Sequence, residues 1–361
     1  EGREPQSDEG RLRNRLSAVP RDDPAAVRDS VAEVMAMIGR SFRGMRAPSA
    51  CLFGALALLL VPRAVDAQGL TYTKGQTISP AYEGWQQNPD GSYNLVFGYM
   101  NRNWEEEIDI PVGPDNEFSP GSVDRGQPTR FLPSRNRNTF SIRVPADFDD
   151  DEELVWTLNI RGETNRAHAS LAPDYFIDNI VVMSENGSIS AGFTDARLRG
   201  NTPPVAELEG ETERRVRVGE PVTLVMKASD DGIPAGGGTL FPTANILTDD
   251  GELNLALALR LQPMLVVPGK ANGLHVSWFV YRGPGQVTFN PLQIQVWEDT
   301  RPYSNSPWSL GWVNPEPPED GRWVAEATFD EPGTYILRGL VDDGGLSVYH
   351  DVTVEVIPLT L

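Results

Sequence analysis

The sequence predicts an all-β protein: two β-sandwiches in tandem behind an N-terminal leader. Three observations carry this. Apolar residues alternate with polar ones in short runs and show no sustained helical period. Glycine and proline, 34 and 30 of 361 residues, are spread along the chain and interrupt those runs. The runs fall into two sets, divided by Asn201-Thr202-Pro203-Pro204, where consecutive prolines favour extended chain and lack amide donors.

Residues 45–67 have the pattern of a secretory signal peptide. Arg46 precedes the apolar run Cys51-Leu52-Phe53-Gly54-Ala55-Leu56-Ala57-Leu58-Leu59-Leu60-Val61, and Val65-Asp66-Ala67 offers small residues for cleavage before Gln68. The run is too short to span a bilayer, so cleavage is expected and no transmembrane anchor remains in the mature chain. Residues 1–44 read as a disordered leader or an upstream segment. A secreted, periplasmic or cell-surface location follows as an expectation.

Charge and cysteine usage narrow the function classes. Residues 68–361 hold 21 Lys and Arg against 42 Asp and Glu, a formal charge of −21. Such a surface argues against nucleic-acid partners, whose phosphates need a basic face. Cys51, in the signal, is the chain's one cysteine. Residues 68–361 therefore carry no disulfide, no thiolate nucleophile and no Cys-ligated zinc, and an apolar core must hold the fold.

The first domain, 68–200, opens with the turn Asn88-Pro89-Asp90-Gly91. It leads into Ser92–Met100, where Tyr93, Leu95, Phe97 and Tyr99 share one face. Short strands are expected at Glu107–Val112, Thr139–Val144, Leu154–Ile160, Asn165–Leu171 and Phe176–Met183, with Asp147–Glu153 as an acidic loop. The second domain, 201–361, alternates Val222, Leu224, Met226 and Ala228, then Tyr335, Leu337, Gly339 and Val341, then Val352, Val354 and Val356. Two long insertions, 232–273 and 291–321, interrupt it. In the first, Leu253, Leu255, Leu257, Leu259 and Leu261 favour a strand, while Ala256 and Ala258 keep a helix open.

An ordered series of segments in the second domain resembles the PKD-like, immunoglobulin-like sandwiches of bacterial cell-surface and secreted proteins. It comprises Ala228-Ser229-Asp230-Asp231-Gly232, Trp278, Gly283-Pro284-Gly285, Pro332-Gly333-Thr334-Tyr335, Leu340-Val341-Asp342-Asp343-Gly344 and Asp351-Val352-Thr353-Val354. The resemblance implies that Trp278 fills the space between two sheets and that Tyr335 forms a tyrosine corner. Where many such domains carry Trp-x-Phe-Gly-Asp-Gly, this chain has Trp278-Phe279-Val280-Tyr281-Arg282. The first domain, with Tyr82-Glu83-Gly84-Trp85 and Gly98-Tyr99-Met100-Asn101-Arg102-Asn103-Trp104, resembles uncharacterised secreted bacterial proteins, which brings no function with it.

Two groups of residues are candidate sites. Asp230, Asp231, Asp342 and Asp343 would suit calcium if they met at one end of the sandwich; otherwise they cap their own turns. Trp297, Tyr303, Trp308 and Trp312 would bind a ligand if exposed, by stacking on sugar rings or anchoring a protein; otherwise they pack on Pro302, Pro307, Pro315, Pro317 and Pro318 as a local core. No other cofactor is expected. Catalytic signals are poor: there is no His-Glu-x-x-His, no phosphate loop, and Ser188-Ile189-Ser190-Ala191-Gly192 lacks the first glycine of a nucleophile elbow. Glu105 and Glu107 remain open as a carboxylate pair. The expectation is a non-catalytic binding or structural protein that meets a protein or polysaccharide partner at the cell surface, with a carbohydrate-binding accessory role as the alternative.

Overall fold

A computed structural model describes residues 72–149, 152–186, 198–236, 270–301, 303–309 and 312–359. The signal-peptide segment and Leu253–Leu261 lie outside them. The described residues all fall within one compact unit, Leu70–Leu361. The described residues are all-β, with sixteen strands and a single short α-helix. No helix among them is long and apolar enough to cross a membrane.

The first sandwich faces two three-stranded sheets. One is β1 (Ile78–Gln87), β2 (Tyr93–Asn101) and β6 (Ser134–Val144); the other is β4 (Asn116–Ser119), β7 (Leu154–Ile160) and β8 (Glu163–Ala169). β3 (Ile108–Asp109) and β5 (Arg130–Phe131) form a small ribbon beside them. Leu95, Phe97 and Tyr99 point inward, as their alternation requires, to meet Phe118, Phe140 and Trp156. Trp156 is fully buried, stacks on Phe118 at 5.8 Å and meets Phe97 and Phe140 edge-on. Its indole N–H donates to Asn116 Oδ1 at 2.9 Å, the partner a buried tryptophan needs.

Two expected strands differ. Glu107–Val112 is strand only over Ile108–Asp109: the Ile110 N–H still donates to Thr129 O in register, but Pro111 has no amide to donate and the pairing stops there. Phe176–Met183 is not a strand. Phe176 makes one bridge to Trp85, and the chain then turns into helix α1 (Asn179–Glu185), because the Asp178 carboxylate accepts the Val181 N–H and caps the first turn.

The second sandwich has the strand arrangement of an immunoglobulin-like domain. One sheet runs β13 (Val287–Asn290), β14 (Arg322–Phe329), β11 (Val222–Ser229), β9 (Val205–Glu209); the other runs β10 (Glu213–Arg217), β16 (Ser347–Ile357), β15 (Gly333–Asp342), β12 (His275–Arg282). The pairings are antiparallel except for β10 with β16. Leu224, Met226, Ala327, Leu337, Val352 and Val354 form the core, with Trp278 on β12 among them, 2% exposed. The Tyr335 hydroxyl donates to Glu331 O at 2.9 Å, which makes the tyrosine corner.

β12 is buried on both faces. Val276, Trp278 and Val280 enter their own core, while Tyr281 and Phe279 pack against the first sandwich. Four further ties cross this joint. Arg130 donates to Gly285 O at 2.5 Å, Tyr281 Oη to Gly126 O at 2.5 Å, Arg282 Nε to Gln127 O at 2.8 Å, and Arg338 Nη1 to Thr139 O at 2.6 Å. Arg338 is 4% exposed, held by Asp351 and placed over the rings of Tyr281 and Tyr349 at 3.6 and 3.7 Å.

Candidate functional site

The four candidate aromatic residues do not gather at one place. Tyr303 is 82% exposed, at a positive φ of 62°. Trp308 lies under the Lys270 ammonium, 4.6 Å from its ring centre, beside the joint. Trp297 and Trp312 line two neighbouring recesses that share Trp278, Leu292, Gln293, Ile294 and Asn305 as a wall.

That wall is the segment after β13, which leaves the sheet and is pinned by side-chain amides. Gln293 Oε1 accepts the Trp278 backbone N–H at 2.9 Å, Asn305 Nδ2 donates to Gln293 O, and Gln295 N donates to Asn305 O at 2.7 Å. On one side lies a recess of 370 Å³ walled by Trp278, Trp312, Trp323, Val276, Ile294 and Pro315. The Trp312 N–H donates to Asn314 Oδ1, but the buried indole nitrogens of Trp278 and Trp323 have no acceptor. The adjoining recess, 310 Å³, holds Trp297 and Gln295, whose Nε1 and Oε1 are likewise buried and partnerless. A largely apolar hollow with a few unsatisfied polar groups in its wall is the usual make-up of a ligand site.

The four aspartates sit at the strand ends of the second sandwich, each with local work. Asp230 Oδ2 accepts the Gly232 N–H; Asp231 Oδ1 accepts that of Ile233, and its Oδ2 holds both the amide and hydroxyl of Thr202. Asp342 pairs with Lys270 at 2.5 Å and accepts the Gly344 N–H. Burial opposes its charge, but Lys270 and these hydrogen bonds outweigh it and hold the carboxyl below the usual range. Asp343 Oδ1 accepts the amides of Gly345 and Leu346, while its Oδ2 is buried without a partner. Burial, with Asp342 alongside, raises the Asp343 carboxyl to about 7. Among the described residues no group of three or more His, Cys, Asp or Glu is placed to hold a metal ion.

The carboxylates open to acid–base work are held in ion pairs. Glu105 meets Arg301 at 3.1 Å and Glu107 meets Arg130 at 3.2 Å. Ser188–Gly192 lies outside the described residues.

Residue reasoning missed the role of Trp278 and Trp323 as a recess wall. Trp278 reads as pure core. Only the unbroken run Trp278-Phe279-Val280-Tyr281 within β12, where alternation fails, signals a strand with two buried faces.

An all-β chain with an immunoglobulin-like second sandwich is the class these elements define. No family model matches the chain, and no curated protein matches it in sequence. Among solved structures, it is similar to the N-terminal eight immunoglobulin domains of Down Syndrome Cell Adhesion Molecule (11% identity, TM-score 0.20), covering 78% of this chain and 27% of that longer one. It is also similar to the titin domains Z1Z2 in complex with telethonin (10% identity, TM-score 0.20; 80% and 100% covered) and to the D0-D1 domain of intimin (9% identity, TM-score 0.20; 77% and 97% covered). At these scores neither ligand nor activity carries over to this chain.

Proposed function

We propose that this chain is a non-catalytic binding protein in which two rigidly joined sandwiches present the tryptophan-lined recess to a partner. The observation that carries it is an apolar recess walled by three indoles, those of Trp278, Trp312 and Trp323. A protein or a polysaccharide could occupy it. A saccharide fits the recess better, because sugar rings offer C–H faces to indoles. The ion-paired state of Glu105 and Glu107 supports a role without catalysis. The signal-peptide pattern and the absence of cysteine from residues 68–361 support a secreted or surface location; the acidic surface argues against nucleic acid.

The test is tryptophan emission of the full chain titrated with a panel of soluble polysaccharides and, separately, of extracellular proteins. Saturable quenching by a polysaccharide, weakened at least tenfold in Trp312→Ala, is expected. Saturation only by proteins would reassign the recess to protein recognition. A response unchanged in both Trp312→Ala and Trp323→Ala would remove the recess from binding altogether.

A further inference from the structure

The segment 293–297 walls both recesses and belongs to the second sandwich. It runs straight on into 298–301, and these residues rest on the first sandwich. Ser134 Oγ donates to Glu298 O at 2.9 Å, and Glu298 N donates to Arg135 O at 3.1 Å. The start of β6 thus takes both main-chain groups of Glu298. Three residues on, Arg301 Nη1 donates to Glu105 Oε1 at 3.1 Å, and the guanidinium lies over the Trp104 ring at 5.6 Å. Its fork cannot swing, because the Asp299 carboxylate, 1% exposed, holds both Nε and Nη2.

From there the bonds lead inward. Asp299 N donates to Trp297 O at 2.8 Å, and Ser306 Oγ donates to the same oxygen at 3.4 Å. Asn305, beside Ser306, holds Gln293 and Gln295, and Gln293 Oε1 holds the Trp278 backbone N–H. An unbroken series of direct contacts therefore joins the first sandwich to the wall.

Ser134 carries backbone strain at the head of this series. Its φ is 60°, a left-handed conformation that suits glycine and is costly for a residue with a Cβ. The buried Asn136 amide fixes it there, donating to Leu132 O at 3.2 Å, Pro133 O at 3.0 Å and Ser134 O at 3.4 Å. A serine where glycine would sit more easily points to its hydroxyl as the reason, and that hydroxyl reaches Glu298.

We propose that the first sandwich is the positioning element of the recess: Ser134 and Glu105 hold Glu298 and Arg301, and these hold the wall 293–297 in the shape a partner meets. This role rests on the recess being the binding site. It gives the first sandwich a part in binding without contact with the partner, since Ser134, Glu105 and Arg301 line neither recess. A wall fixed beforehand has less freedom to lose when a partner docks.

The test is hydrogen exchange of the Gln295 and Trp278 backbone amides in the full chain, read beside urea unfolding and the polysaccharide and protein titrations. Ser134→Gly combined with Arg301→Gln should speed both amides at least tenfold and weaken whichever partner saturates the wild type at least fivefold. Its urea midpoint should be no lower than that of Arg282→Gln, which cuts ties across the joint without touching the wall. Arg282→Gln should leave both amides within twofold of wild type. Ser134→Gly alone relieves its own backbone, so it decides the matter if the double variant does not fold; it should speed Gln295 at least threefold. Unchanged exchange in the Ser134 variants, equal acceleration in Arg282→Gln, or faster exchange with wild-type affinity would each overturn the proposal. A wild type that binds nothing would sink the binding reading, and exchange would still tell whether the first sandwich holds the wall.

Discussion

His275 is a titratable group that the fold keeps uncharged. It is 3% exposed and its Nδ1 donates to Gly273 O at 3.0 Å. Burial lowers its pKa from 6.5; Lys270 lowers it further, and Asp342 only partly compensates. A histidine whose folded pKa is depressed stabilises the fold above its unfolded pKa and loses that contribution as pH falls. Below pH 6.5 the unfolded chain takes up a proton that the folded one refuses, at up to about 1.4 kcal/mol per pH unit. Urea unfolding of wild type and His275→Gln between pH 7.5 and 5 should therefore converge or cross as pH falls, with wild type the steeper. Parallel curves would mean that His275 is protonated in the fold.

At the scale of elements, β15 is shaped by the tryptophan of β12. Gly339 faces Trp278, and a Cβ there would lie 2.8 Å from Met226 Cε and 2.9 Å from two ring atoms of Trp278. The methionine end can move; a fully enclosed indole cannot. Gly339→Ala should cost about 1–3 kcal/mol of stability by overpacking, read as a lower urea midpoint with an unchanged slope. An unaltered midpoint would show that the sheets can part at this layer.

This layer was largely legible in the sequence, because Val222–Ala228, Tyr335–Val341 and Val352–Val356 keep strict alternation and one face of each is buried. So was the tyrosine corner, since Gly333-Thr334-Tyr335 is a local pattern. α1 was not: Ile180, Val181 and Val182 are β-branched and read as strand, and a single aspartate cap with tertiary packing decided otherwise. The sites were legible only in outline. Composition flagged the aspartates and tryptophans, but which oxygens and indole nitrogens lack partners depends on segments far apart in sequence.

At the scale of the whole molecule, the two sandwiches share apolar surface. Tyr281 belongs to the core of the first sandwich, and Phe279 and Ile336 pack against it from the second. Neither sandwich can open without exposing part of the other's core. The full chain should melt in one calorimetric transition over these two sandwiches, with equal calorimetric and van't Hoff enthalpies. Two resolved transitions would mean that the joint is too weak to couple them.

Four clamps across that joint end on main-chain oxygens, those of Gly285, Gly126, Gln127 and Thr139. A peptide carbonyl is there whatever side chain its residue bears. The grip therefore recognises the path of the neighbouring chain rather than its spelling. Over evolutionary time Thr139 can change letter without loosening it, whereas Gly285, where an added Cβ would lie 2.6 Å from Tyr335 Oη, and Gly126, at φ +94°, are held by their own geometry; Arg130, Tyr281, Arg282 and Arg338, which do the reaching, have no freedom either. A set of related sequences should show these four donors held fixed, with compensating changes confined to side-chain pairs across the seam such as Arg282–Asp124 and Arg301–Glu105.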